Sequence, residues 1–195
     1  MEKRPDDEMQ QWLHFKNGDR EAFAAVYRQH SLALIAYGLR LCPDRHLLKD
    51  QIQELFVELW HSRKNLALAG SVRFYLLRAL RYKLLRLEKS RALRQHPMTI
   101  DIDTLLQESI ETSIIENEIH SSQVASLREA IRTLSLRQQE VIQLRYYQGL
   151  SHEQIAALMD LNYQSVSNLL HRALQRLKDL VKMPALYLLL SFLFR

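Results

Sequence analysis

The chain has 195 residues, with 27 Lys and Arg against 22 Asp and Glu, and only four Gly and four Pro. That length permits one large domain or two small ones, and the scarcity of turn and strand punctuation beside abundant helix formers makes the fold class all-α. Cys42 is the single cysteine, which excludes an internal disulfide and a cysteine-based zinc site built from this chain alone and suits a reducing cytoplasm. The first residues, MEKRPDDEMQQW, carry no apolar signal stretch. The strongest apolar run, residues 185–194, falls far short of the ~20 residues that cross a bilayer, so no membrane insertion is expected. The eight His are scattered, and neither HExxH nor a Gly-rich phosphate loop occurs. No catalytic residue, metal site or cofactor is therefore expected.

Apolar spacing predicts helices over residues 7–16, 20–41, 47–61, 72–93, 114–133, 136–147, 152–159 and 163–181. Local chemistry agrees with these limits: Gly18-Asp19 separates the first pair, Cys42-Pro43-Asp44 ends the second helix, and Gly70-Ser71 precedes the fourth. Ser135 with Gln138, and Ser151 with Gln154, stand at capping-box spacing. The interruption at Pro97, followed by acidic, Ser and Thr residues, predicts a linker over 95–113 with four helices on each side.

In the third helix Ile52, Leu55, Phe56 and Leu59 fall on one arc, and Asp50, Gln53, Glu54 and Glu58 on another. Periodicity alone is equally compatible with an ordinary amphipathic helix. The next helix is less ordinary. Ten basic residues lie between Arg63 and Arg94, opposed by Glu88 alone, while residues 95–126 carry six acids and no Lys or Arg. One segment suits polyanions and the next repels them. Phe74, Tyr75 and Tyr82 interleave with Arg73, Arg78, Arg81, Lys83 and Arg86, a combination that stacks bases and follows phosphates. A core helix with a solvated basic face is the plainer alternative, because Leu76, Leu77, Leu80 and Leu84 need burial.

Residues 151–177 have the layout of a helix-turn-helix. Ala156 is the small crossing residue, and Ile155, Met159, Leu161, Val166 and Leu169 are the expected core. Asp160 stands where the turn needs positive φ, which Asp tolerates better than most residues, and Asn162 can cap the second helix. That helix would present Gln164, Ser165, Ser167, Asn168, His171 and Arg172 to the major groove.

Together the two halves resemble a bacterial extracytoplasmic-function sigma factor of the sigma-70 family, over most of the chain. Asp50, Gln53, Glu54, Phe56 and Trp60 match the family pattern Asp-x-x-Gln-Glu-x-Phe-x-x-x-Trp, and the runs Leu150-Ser-x-x-Gln-Ile-Ala157, Ser165-Val166 and His171-Arg172-Ala173 match its second domain. The resemblance implies sigma-70 domain two over 1–94, an acidic linker over 95–113, domain four over 114–182 and an apolar tail over 183–195. It implies that Asp50, Gln53, Glu54, Phe56 and Trp60 dock on core RNA polymerase. Lys64, Asn65, Arg73, Phe74, Tyr75 and Arg78 would hold the opened minus-ten element of promoter DNA. Gln164, Ser165, Ser167, Asn168, His171 and Arg172 would read the minus-thirty-five element. The family often has Trp at Tyr75, Asn at Tyr82 and a basic residue at Ser167. The linker would mimic nucleic-acid charge in polymerase channels.

Two readings of residues 185–194 stay open: completion of a core, or an interaction segment that docks in a closed form or engages an anti-sigma factor. A homodimeric operator-binding regulator is the alternative function, and it should bind its site unaided.

Overall fold

The computed structural model describes residues 5–66, 70–92, 127 and 129–180, which fall into two compact units, one within residues 1–101 and one within 102–195. The expected linker, most of the helix expected over 114–133, and the apolar tail lie outside the described residues. Among the described residues the regular structure is helical throughout, as the composition required.

The first unit has α1 (Pro5–Lys16), α2 (Arg20–Leu41), α3 (Arg45–Ser62), a 3₁₀ turn (Arg63–Asn65) and α4 (Val72–Ala92). Asp19 starts α2 by accepting from the backbone N–H of Glu21 and Ala22 through Oδ1, at 2.8 and 3.1 Å, and Asp44 starts α3 by accepting from Leu47 at 3.1 Å. Each such cap is worth about 1 kcal/mol. The long helix α2 packs against α1, α3 and α4, and Gly38 leaves room for Leu48 of α3, with which an added methyl would collide. Ile52, Leu55, Phe56 and Leu59 are all buried, as the arc on α3 predicted, and Leu76, Leu77, Leu80 and Leu84 line the inner face of α4.

Seven aromatic rings join these four helices in one continuous cluster. Trp12 meets Phe15 and Tyr75, Phe15 meets Phe23 and Trp60, and Phe56 meets Phe23 and Tyr27, with centroids 4.8–6.3 Å apart. Edge-to-face pairs in this range add about 0.5–1.5 kcal/mol each to the burial itself. Beside the cluster His30 is 1 % exposed, with Nε2 3.2 Å from Glu8 Oε1. Burial first, and the positive charge of Arg73 second, lower its pKa to about 4. It is therefore a neutral core residue at pH 7.

The second unit has a helical segment ending at residue 132, α5 (Leu136–Ile142), a π-helical turn (Gln143–Tyr147), α6 (His152–Met159) and α7 (Tyr163–Leu180). Both capping boxes form: Ser135 with Gln138, and Ser151 with Gln154. The buried amide of Gln139 donates to the carbonyl of Leu134 at 2.8 Å, closing the preceding turn. Apolar spacing made residues 136–147 one α-helix, but the last five widen to π geometry. Gly149 at φ 67° reverses the chain, the Leu150 N–H returns to the Leu144 carbonyl at 3.0 Å, and Arg145 Nη1 donates to the Leu150 carbonyl at 3.0 Å. The first of these bonds satisfies a carbonyl that a regular helix end leaves open, and the second ties the turn back to the helix.

Candidate nucleic-acid interface

The helix-turn-helix is built as its sequence chemistry dictates. Asp160 ends α6 at φ 57°, ψ 50°, and Asn162 Oδ1 accepts from the Ser165 N–H at 2.7 Å, starting α7. Ile155, Met159 and Val166 are buried, with Ala156 at the crossing. Two expected core positions are corrected. Leu161 and Leu169 are only half-buried, whereas Leu158 and Leu170 are buried. The reason is phase: α7 buries Val166, Leu170, Ala173 and Leu177, a run of four-, three- and four-residue steps that puts Leu169 at the shoulder.

Opposite that buried stripe, Gln164, Asn168, His171 and Arg172 are all exposed and share one outward arc. Ser165 and Ser167 flank it, half-buried. Gln164 Nε2 donates to Asn168 Oδ1 at 3.2 Å, so two of the side chains expected to read bases touch each other. At the turn between the helices the rings of His152 and Tyr163 lie 5.4 Å apart. Periodicity had no means of finding that pair, since it bridges two helices.

In the first unit Asp50, Gln53 and Glu54 are exposed on α3, whereas Phe56 is 3 % exposed and Trp60 half-buried in the aromatic cluster. Phe56 thus shapes the face from beneath. The Arg63 guanidinium lies over the Trp60 ring, 4.5 Å from its centre, and donates to the Trp60 carbonyl at 2.7 Å. This cation–π contact fixes the turn that presents Lys64 and Asn65, both exposed, while Leu66 is buried behind them.

On α4, Arg73 and Arg78 are exposed, and Phe74 and Tyr75 are half-buried. Tyr75 packs edge-on against Trp12, and burial pushes its hydroxyl pKa up. The outward stripe is Arg78, Tyr82, Leu85, Arg86 and Lys89, with Tyr82 70 % exposed. Lys83 does not join it. Counted among the phosphate-tracking residues by sequence, it turns back to α3, where Nζ lies 2.7 Å from Glu58 Oε1 and 3.3 Å from Glu54 Oε2. Its place on the α3 side of α4 and the two carboxylates opposite decide that direction.

Comparison with known proteins agrees with both units. Residues 125–177 match the family model "Sigma-70, region 4". The chain is 26 % identical over 163 residues to the RNA polymerase sigma-E factor of Streptomyces avermitilis, covering 84 % of this chain and 87 % of that one. It is 26 % identical over 156 residues to the ECF RNA polymerase sigma factor SigL of Mycobacterium tuberculosis, covering 79 % and 85 %. Over most of its length this chain is similar to extracytoplasmic-function sigma factors of the sigma-70 family. The same fold occurs in the sigma factor RpoE of Bartonella quintana, solved with the anti-sigma factor NepR, at TM-score 0.58 and 21 % identity over 83 % of this chain and 98 % of that one. It occurs again in CnrH, solved with the cytosolic domain of CnrY, at TM-score 0.59 and 19 % identity over 91 % and 98 %. Similarity that spans both units favours a sigma-factor reading of this chain over an operator-binding regulator that shares only the helix-turn-helix. No helix among the described residues is long and apolar enough to cross a membrane.

Proposed function

We propose that the chain joins core RNA polymerase as a non-catalytic subunit and directs promoter-specific initiation with a division of labour between its two domains. The domain over 1–94 docks on polymerase through Asp50, Gln53, Glu54 and Trp60 of α3, held in place by buried Phe56. It opens the minus-ten element with Lys64 and Asn65 of the 3₁₀ turn and with Arg73, Phe74, Tyr75 and Arg78 of α4. The domain over 114–182 reads the minus-thirty-five element through Gln164, Ser165, Ser167, Asn168, His171 and Arg172. The acidic segment 95–113 connects them, and an anti-sigma factor is a further partner, as NepR is for RpoE of Bartonella quintana.

The observation that supports this reading best is the pairing of two surfaces in one helical unit. An acid and amide face on α3 adjoins a basic, aromatic stripe on α4, so one rigid body offers a protein-docking side and a polyanion side. The test is run-off transcription with purified core polymerase on genomic promoter fragments. Discrete transcripts that need the added chain are expected; an identical pattern without it would overturn the proposal. A band shift with the chain alone separates this from the operator-binding alternative, which needs no polymerase.

A further inference from the structure

We propose that Gln164 and Asn168 act as one adenine-reading unit, in which Gln164 touches the base and Asn168 sets which way round the Gln164 amide faces. This rests on the assignment of α7 as a DNA-reading helix. Both side chains are exposed and one turn apart on the outward arc, and Gln164 Nε2 donates to Asn168 Oδ1 at 3.2 Å. Asn162, the other amide near the start of α7, is occupied as the cap, with Oδ1 on the Ser165 N–H at 2.7 Å. The unit is therefore confined to the pair.

A primary amide has two N–H groups and a carbonyl oxygen. If the N–H pointing away from the carbonyl is the one given to Asn168, the carbonyl and the other N–H remain together on one open edge. That edge matches the N6 donor and N7 acceptor of adenine in the major groove. Guanine offers two acceptors there, O6 and N7, so it selects an amide that presents its N–H groups and hides its carbonyl. A Gln164 amide turned over in that way would aim its carbonyl at Asn168 Oδ1, so Asn168 must turn its own amide as well to keep the hydrogen bond. The hydrogen bond thus couples the two amides, and Asn168 removes the free turning of Gln164 alone before the base arrives. Asn168 is on this account a positioning residue, and its effect is on the ratio of adenine to guanine and not on binding in general.

The test uses the full chain with core polymerase, transcribing a promoter library in which the upstream contacted segment is randomised, with recovered transcripts traced to their templates. For the native chain one position should be held as adenine. Asn168→Leu should lower the adenine-to-guanine ratio at that same position by about tenfold, and Asn168→Asp, which keeps an acceptor, should restore it. Gln164→Ala should abolish base preference there, with the double variant no worse. Adenine preference that survives Asn168→Leu, or relaxation at a different position only, overturns the unit while leaving α7 as a DNA reader. A native holoenzyme that selects no base anywhere in the segment overturns the DNA-reading assignment itself, and the unit with it.

Discussion

Lys83 Nζ on α4 lies 2.7 Å from Glu58 Oε1 on α3, and the same ammonium lies 3.3 Å from Glu54 Oε2. One cation therefore ties the helix proposed to face polymerase to the helix proposed to face DNA. The lysine side chain is 15 % exposed while both glutamates are more than half exposed, so solvent screens much of the attraction. Lys83→Met should lower stability by about 1 kcal/mol in dilute buffer and by less in 0.5 M salt. Urea unfolding at the two salt concentrations checks this; equal losses would show that the methylene stem and not the charge is responsible.

His30 predicts an acid-sensitive first unit. Its folded pKa, about 4, lies below the ordinary value of 6.5 because burial and Arg73 oppose protonation, with Glu8 the nearest carboxylate. The unfolded chain accordingly takes up a proton first as pH falls. This contribution is fully present above pH 6.5 and is lost as pH falls towards 4, by up to about 3 kcal/mol. His30→Leu should flatten that part of the stability–pH curve; a variant that keeps the native slope would assign the slope to other groups.

Asp160 is the only non-glycine residue at positive φ among the described residues. A β-branched side chain there meets the steric cost that Asp partly avoids. Asp160→Val should destabilise the second unit by about 1–2 kcal/mol, whereas Asp160→Gly should be neutral or slightly stabilising. Thermal unfolding followed by circular dichroism decides it, and a harmless valine would refute the strain.

Arg172→Ala should weaken promoter use by about 1–3 kcal/mol and leave polymerase binding intact. Gln53→Ala should do the reverse. Glu54→Ala is a poorer probe than Gln53→Ala, because removing Glu54 also takes one of the two carboxylates from Lys83. Polymerase affinity and transcription measured on the same preparations separate the roles; Arg172→Ala that loses polymerase instead would reverse them.

Chain-local chemistry was legible in the sequence, and cross-helix chemistry was not. The caps at Asp19, Asp44, Ser135, Ser151 and Asn162 are fixed by residues two or three places away, so reading along the chain finds them. The outward arc of α7 follows from helical spacing in the same way. Lys83 was misread because its direction depends on Glu54 and Glu58, 29 and 25 residues earlier. The aromatic cluster escaped for the same reason, as its rings come from four helices. Leu169 and Leu170 are adjacent leucines, and only the packed phase of α7 against α5 and α6 chooses between them.

That cluster also gives the chain a spectroscopic asymmetry. Trp12 and Trp60 are its two tryptophans, and both sit among the rings of the first unit, one of them under the Arg63 guanidinium. Selectively excited tryptophan emission is therefore a private channel for the first unit, silent about the helix-turn-helix, while far-ultraviolet ellipticity sums both. Titrated with denaturant, the two signals from one unlabelled sample resolve how each half melts without the chain ever being cut.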